Sequence, residues 1–479
     1  MRIYNSLTRQ VETFSPLKMP KVGLYTCGPT VYDYAHIGHG RKYVYDDVLR
    51  RLLTYNGYEV THVQNITDVG HLVSDADEGE DKLEKGAVKY RKSVWEVAEM
   101  FTEAFWASTD RLNILRPTVS CKATEHIKEQ VELTQKLIRK GFAYDTPEAV
   151  YFNVRKFPRY EGLFGQQTLA DKQTAVREAV RAGDYKKHPA DFALWFKRTG
   201  RFADHQMHWD SPWGDGFPGW HIECSAMAMK YLGDTLDIHT GGMEHQLVHH
   251  PNEIAQSEAA TGKLFVKYWV HAGHLTVEGA KMSKSQGNVY RVEDVIEKGF
   301  SPLSLRYLFL TAHYKSPLNF TWSGLAAAQT ALDKLKEFVR GTRQKALGTS
   351  RVELSKEKLK KLDGFRDRWQ AAVNEDMGLP QGLAVMWEML KSNIPDYDKL
   401  DALLDWDQVM GLNLTNVGEV EVPEEVKRLG ADREALRRTG RYVDADRVRM
   451  EVEKLGWTVE DGQAGPKYKL IKKLSNFGD

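Results

Sequence analysis

The sequence predicts a doubly wound parallel α/β sheet of the Rossmann type, carrying an insertion and followed by an α-helical bundle and a small C-terminal module. Three observations lead there. A strand, a breaker, a helix and a second strand follow one another between residues 22 and 67. That pattern is interrupted over 118–200 and then resumes, and from about Asn319 onward the chain turns helical and charged. Parallel strands joined through a helix cross over right-handedly and place ligands at the carboxyl ends of the strands.

Val22-Gly23-Leu24-Tyr25-Thr26 is a short apolar run closed by Cys27-Gly28-Pro29, a strand meeting a breaker. A helix follows from about His39 to Asn56. Val44, Val48, Leu49 and Leu52 share one face of it, and Gly57 stops it. Val60 to Thr67 returns as the next strand. A helical stretch over Ala123–Lys140 and a mixed, charged segment read as an insertion between two halves of one fold. Gly-rich and apolar segments resume over 212–300, and the helical pattern beyond breaks near Gly348 and around Val417-Gly418. The expected divisions are 1–117 and 212–318 for the two halves of the α/β domain, 118–211 for the insertion, 319–417 for the bundle and 418–479 for the last module.

Composition narrows the class. Hydrophobic residues make up 42% and charged residues 28% of 479, which excludes a disordered chain. No apolar run approaches the roughly 20 residues of a spanning helix, and the start lacks a secretory core. Three cysteines exclude a disulfide framework and suit a reducing compartment, so a cytoplasmic location is expected. With a net charge of only +1, a polyanionic partner must be met by local basic patches. The residues name no obligate protein partner and no membrane.

Two short strings carry the chemistry: His36-Ile37-Gly38-His39 and Lys281-Met282-Ser283-Lys284-Ser285. Transfer of an adenylyl group from ATP builds negative charge on the α-phosphate and on the departing pyrophosphate. Imidazoles at a helix start and ammonium groups on a closing loop are donors suited to that charge. Gly279 and Gly287 flank the second string and allow it to move. Together and in this order the strings resemble the HIGH and KMSKS signatures of class I aminoacyl-tRNA synthetases. The resemblance makes His36, His39, Lys281 and Lys284 the catalytic residues, and His36, Gly38, His39 and Lys284 the ATP contacts, with Mg²⁺ accompanying ATP.

Cys27 ends the first strand, Cys224 lies in Gly219-Trp220-His221-Ile222-Glu223-Cys224, and His249 and Glu253 follow in His249-His250-Pro251-Asn252-Glu253. Two thiolates, an imidazole and a carboxylate can make a tetrahedral zinc set. By spacing alone the plainer reading prevails: two buried cysteines and a histidine pair capping a helix over Asn252–Ala260. Pro251 is tolerated only in a first helical turn, which puts His249 at the helix entrance and leaves its convergence with Glu253 to cap geometry.

Further strings extend the resemblance to cysteinyl-tRNA synthetases over essentially the whole chain. They are Tyr25 to Tyr32, His36 to Arg41, Asn65-Ile66-Thr67-Asp68, Ala190 to Trp195, Pro218 to Ala226, Asn252 to Ser257 and Lys281 to Asn288. The resemblance implies a cysteine–tRNA ligase acting on L-cysteine, ATP and tRNA(Cys). It implies one zinc ion per chain on Cys27, Cys224, His249 and Glu253, and a cysteine pocket at Thr67 and Trp220. Zinc would bind the substrate thiol and reject serine by ligand chemistry. Two departures stand out: Val69-Gly70-His71-Leu72 where many relatives read Ile-Asp-Asp-Lys, and Pro251 where many carry Glu. Cys121 falls outside the set and reads as an incidental thiol.

Residues 427–449 carry eight basic side chains, including Arg433, Arg437, Arg441 and Arg449, against four acids. A basic helix pair followed by Gly456-Trp457 can hold a phosphate backbone and meet unstacked bases. By resemblance the last module binds the anticodon through Arg437, Tyr442, Asp446 and Asp461, and the preceding helices, with Lys356, Lys358, Lys360 and Lys361, track the tRNA stem. Two other readings remain: a non-catalytic tRNA-binding paralogue, and a mycothiol-type cysteine:glucosaminyl-inositol ligase, which lacks the tRNA-reading tail.

Overall fold

The computed structural model describes the chain except residues 71, 75–77, 166–184, 284–285, 347–352, 419–421, 462–464 and 471–479. Its centre is a five-stranded sheet. Strand β1 (Lys21–Thr26) leads through helix α1 (Ile37–Tyr55) to β2 (Glu59–Ile66), and later to β3 (Val119–Lys122). Beyond the insertion come α2 (Trp220–Leu232), β4 (Leu236–Gly242), α3 (His249–Thr261) and β5 (Val266–Ala272). The order is β5-β4-β1-β2-β3, and every pair is parallel. The order reverses between β1 and β4, so their carboxyl ends open the crevice where such sheets bind ligands.

Helix α1 forms where its apolar face predicts, with Val44, Val48, Leu49 and Leu52 buried. It starts two residues earlier than expected because His36 acts as its cap: the ring accepts from Gly38 N and His39 N. Histidine is not among the usual capping residues, so the pattern of apolar positions alone misses this start. Gly57, at φ 84°, ends the helix as expected.

The insertion holds a four-stranded antiparallel sheet of Gly216–Pro218, Phe192–Lys197, Ala149–Phe152 and Ala143–Asp145. Its helix, Ile127–Arg139, follows a 3₁₀ turn over Ala123–His126. Strands cross both expected margins, since Val119–Lys122 belongs to the parallel sheet and Gly216–Pro218 to the inserted one. Strand pairing, which is non-local, decides membership there, and a composition shift does not report it.

After β5, a small sheet joins β6 (Leu275–Val277), β7 (Ala280–Lys281) and β8 (Leu318–Phe320), and α4 (Pro302–Leu310) packs nearby. Helices α5 (Trp322–Ala346), α6 (Lys356–Asn374), α7 (Leu379–Lys391) and α8 (Asp396–Met410) form the helical region. Trp369 and Trp406 stack at its centre, ring centroids 4.7 Å apart. Its core is continuous with that beneath α1. Arg306 of α4 is wholly buried; it meets Asp47 of α1 at 2.6 Å and donates to the Met410, Leu112 and Asn113 carbonyls. With its donors satisfied in this way, the ion pair fixes the helical region on the helix that carries HIGH.

The last module, α9 (Glu424–Arg438), α10 (Tyr442–Lys454) and the hairpin β9 (Trp457–Glu460) and β10 (Lys467–Leu470), has its own small core of Val426, Val452, Trp457 and Val459.

The sheet buries a histidine with a consequence for stability. His62 of β2 is 3% exposed and sits 2.9 Å from Thr26 Oγ1. Burial, helped by Arg50 and Lys42, lowers its pKa to about 3. An unfolded histidine titrates near 6.5, so unfolding takes up a proton as pH falls from about 6.5 toward 3, and stability is lost over that window. We expect about 2 kcal/mol to disappear from this residue between pH 6.5 and pH 5. Denaturant midpoints of wild type and His62→Gln at the two pH values check it, since the variant should lack that part of the acid loss.

Candidate active site and metal centre

HIGH lies at the start of α1, beside the crevice. His36 Nδ1 accepts from Gly38 N at 3.1 Å and from His39 N at 3.3 Å, while His39 Nδ1 accepts from His36 N at 3.2 Å. With both Nδ1 atoms used as acceptors, each neutral ring carries its proton on Nε2. The two rings stack 3.7 Å apart and 15° from parallel. The helix start thus holds two parallel imidazole donors, an arrangement suited to phosphate oxygens.

The KMSKS arm rests on this helix. Met282 packs so closely on Gly38 that a Cβ there would meet its Cε at 2.5 Å, and Ile37 N donates to Tyr290 O at 2.8 Å. Asn288 ties the loop's two ends, accepting from Ser283 N at 2.8 Å and donating to Lys281 O at 3.2 Å. Gly279 and Gly287 have φ of 80° and 64°, values that favour glycine at both margins. Lys281 ends β7, paired with Thr276. Lys284 lies outside the described residues.

The four expected ligands converge. Cys27 follows β1, Cys224 lies in α2, and His249 and Glu253 stand one turn apart in the first turns of α3, with Pro251 at the third helical position. Their donor atoms lie within 4.8 Å of one another, all buried. His249 Nε2 is 3.0 Å from Glu253 Oε1, which settles the convergence that Pro251 left open.

The cluster fits a metal. Glu253 Oε1 is buried and has no hydrogen-bond partner despite its closeness to His249. Burial opposes the charge of both residues, yet His239 and His249 hold the Glu253 carboxyl down at about 2, and Glu253 and Cys224 raise His249 to about 10. Burial pushes the Cys27 thiol up, and its hydrogen bond to Cys27 together with burial does the same to Cys224. The cluster therefore draws positive charge, and a cation facing the same four donors would ionise the thiols outright. The other nitrogen of His249, Nδ1, lies 2.8 Å from His221 Nδ1, a partner that orients the ring for ligation through Nε2.

Sequence reasoning missed two further donors. His239 of β4 and His250 of α3 form a second compact set with Cys27 and Glu253. His239 Nε2 is 2.9 Å from Glu253 Oε2, and His250 is 3.4 Å from Cys27 Sγ and 2.7 Å from His271. The signal was visible as density: His239, His245, His249 and His250 fall within twelve residues.

The expected cysteine pocket adjoins this cluster. Thr67 Oγ1 donates to Glu223 Oε2 at 3.0 Å and accepts from Asn65 Nδ2 at 3.0 Å. Trp220 opens α2 with its ring 4.4 Å from that of His249. The departure at Val69-Gly70 also has a local reason: a Cβ on Gly70 would lie 1.8 Å from Asp81 Oδ2, and Asp81 pairs with buried His205 at 2.9 Å. His71 of that string lies outside the described residues. Cys121 is a buried thiol in β3, pushed up to about 12 by burial, and so is inert.

In the last module, Arg437, Tyr442 and Asp461 line one cleft, with Glu434 and Arg438 beside them. Arg437 stands over the Tyr442 ring and 3.3 Å from Asp461. Asp446 lies outside this cleft, on α10, 3.7 Å from Arg449.

A doubly wound sheet with imidazoles heading its first helix, and with Met282 and Tyr290 of the second signature segment packed on that helix start, defines a class I aminoacyl-tRNA synthetase. The family described as tRNA synthetases class I (C) catalytic domain matches residues 13–330. A cysteine–tRNA ligase 1 of Burkholderia lata is 45% identical over 468 residues, 97% of this chain and 96% of its own. The cysteine–tRNA ligase of Thermus thermophilus is 40% identical over 490 residues, 98% and 99% of the two chains. The chain belongs to the cysteine–tRNA ligase family. Among solved structures, a Mycobacterium tuberculosis methionyl-tRNA synthetase bound to methionyl-adenylate superposes with a TM-score of 0.58 at 14% identity, over 83% of this chain and 93% of that one, a likeness of fold.

Proposed function

We propose that this chain is a cysteine–tRNA ligase. It joins L-cysteine to the α-phosphate of ATP, releasing pyrophosphate, and passes the cysteinyl group from the adenylate to the 3′-terminal adenosine of tRNA(Cys), releasing AMP. The observation that carries this reading is the convergence of Cys27, Cys224, His249 and Glu253 at the crevice beside HIGH.

The donor set suits zinc, one ion per chain: two thiolates, an imidazole and a carboxylate at a buried point. Bound there, zinc supplies a thiolate-preferring position that distinguishes cysteine from serine. The remaining work falls to the chain's own residues. The Nε2 groups of His36 and His39 meet the phosphates of ATP, whose Mg²⁺ travels with it. Gly38 admits the nucleotide and Met282 close to the helix start. Lys281 and Lys284 bring ammonium charge to the phosphates from the arm. Thr67 and Trp220 bound the amino acid, with the Thr67 hydroxyl oriented by Glu223 and Asn65.

Residues 319–417 are read as the stem-binding region and 418–479 as the anticodon reader, with Arg437, Tyr442 and Asp461 around one cleft and Asp446 on the adjoining helix. That module sets the reading apart from a mycothiol-type ligase, and the assembled donor sets argue against a non-catalytic paralogue. Three free cysteines accord with a cytoplasmic enzyme. Among the described residues no helix is long and apolar enough to cross a membrane.

Cysteine-dependent ATP–pyrophosphate exchange, followed by charging of a tRNA transcript with a GCA anticodon, tests the function. Deleting residues 420–479 removes a module with its own core and leaves both signatures and the metal set in place. We expect exchange to stay within about twofold and charging to fall by 10²-fold or more, because anticodon contacts supply affinity and place the distant acceptor end. The tRNA KM of the intact enzyme should rise steeply with salt. Undiminished charging by the truncated enzyme would remove the anticodon-reading role from this module, whereas exchange without any charging by the intact enzyme would turn attention to a sugar acceptor.

A further inference from the structure

Arg41 of α1 lies two residues past HIGH and is 1% exposed. A buried guanidinium normally meets a carboxylate; this one lies 5.6 Å from the Tyr45 ring centroid and directs its terminal N–H groups at backbone carbonyls. Nη1 donates to the carbonyls of Gly273 and His274, both at 2.8 Å, and Nη2 to those of His313 at 3.2 Å and Ser316 at 2.6 Å. Its four terminal N–H groups thus face four carbonyls from two separate segments.

Both segments lead into the sheet that bears the KMSKS arm. Gly273-His274 joins β5 to β6, and β6 pairs with β7, which ends at Lys281. Residues 313–316 precede β8, which pairs with β6 on its other side. The two segments are already close: Gly273 N donates to Tyr314 O at 2.8 Å, Leu318 N to His274 O at 3.1 Å, and a Cβ on Gly273 would meet Lys315 O at 2.6 Å. Beyond this root the segment touches the same helix twice, through Met282 on Gly38 and Tyr290 on Ile37. An arm that serves ATP must hold one position relative to the phosphates, and its root must therefore stay in register with the helix that carries HIGH.

We propose that Arg41 is a positioning residue for ATP activation, fastening the root of the KMSKS arm to the HIGH helix through the backbone carbonyls of Gly273, His274, His313 and Ser316. The inference rests on the ligase reading. A planar fork can address two carbonyl pairs at fixed angles, whereas an ammonium holds its donors on one atom and cannot span both. Loosening the root leaves the cysteine pocket and the metal ligands in place and shifts the arm relative to the phosphates. Errors of about 1 Å in such placement cost up to 10²-fold.

The test compares wild type with Arg41→Lys, which keeps the charge, and with Gly273→Ala, which pries the same segments apart while leaving Arg41 intact. Each is measured by cysteine-dependent ATP–pyrophosphate exchange well below its melting temperature. Both variants should lose on the order of 10–100-fold in kcat or kcat/KM for ATP, with cysteine KM and bound zinc within about twofold of wild type. Wild-type kinetics in folded Arg41→Lys overturns the inference. So does a loss shared equally by ATP, cysteine and zinc, or a failure of both variants to fold, since either makes Arg41 merely structural. If wild type itself gives no cysteine-dependent exchange, the ligase reading fails and this inference falls with it; an active wild type with equally active variants removes the inference alone.

Discussion

Cys224→Ser should lose cysteine activation by on the order of 10³-fold in kcat/KM for cysteine while still binding ATP. Partners that merely orient a metal ligand already cost 10–100-fold when removed, and Cys224 is itself one of four proposed ligands. A serine hydroxyl is poorly ionised and a weak donor to a metal that prefers thiolate, so zinc content of the purified variant should fall as well. The proposed ATP contacts lie on α1 and on the arm that follows β7, and none lies on α2, so ATP affinity measured by equilibrium binding should change little. The second donor set of Cys27, His239, His250 and Glu253 survives in this variant. Zinc retained at full occupancy with cysteine activation lost would mean that the ion has moved onto the histidine pair. Zinc and cysteine KM both unchanged would remove Cys224 from the ligand set.

How much of this was legible in the sequence follows from the range of each interaction. The sheet was readable because β1, α1 and β2 are local in sequence and obey period rules: Val44, Val48, Leu49 and Leu52 all lie buried where their spacing puts them. The insertion's margins were not, because Val119–Lys122 and Gly216–Pro218 are assigned by partners far away in the chain. The ligand residues were named through resemblance, since spacing alone favoured a plain helix cap. The structure adds the reason they meet: Cys27 N donates to Thr240 O at 3.1 Å, holding the end of β1 against β4, and an i,i+4 step in α3 brings His249 to Glu253. His239 and His250 had no motif to announce them: a histidine within a strand reads as core, and His250 read with His249 as a plain helix cap. Arg41 was likewise silent: a guanidinium that serves four carbonyls leaves no charge partner in the sequence. The Arg437, Tyr442 and Asp461 cleft needed the turn between α9 and α10, which carries Arg437 toward Tyr442.

Lys284→Ala should lower kcat for adenylate formation by a factor on the order of 10²–10³, the loss produced by removing one charge donor that acts in the transition state. Its side chain lies outside the described residues, so the argument rests on the frame around it. Lys281 is held in β7 opposite Thr276, and Asn288 pins both Ser283 N and Lys281 O. Gly287 has a positive φ, and Met282 packs against Gly38 of HIGH. In the proposed role, the Lys284 ammonium adds positive charge to the phosphates beside that of the His36 and His39 Nε2 donors. That charge matters most as pyrophosphate departs, when negative charge on the phosphates is greatest. A group engaged mainly at that point lowers the barrier without tightening the ground state, so cysteine KM should stay within about twofold and ATP KM should change less than kcat. Pre-steady-state formation of cysteinyl-adenylate separates this step from product release. If instead cysteine affinity collapses while adenylate formation keeps its rate, Lys284 binds or supports the ground state, and the arm's charge on the phosphates must come from Lys281.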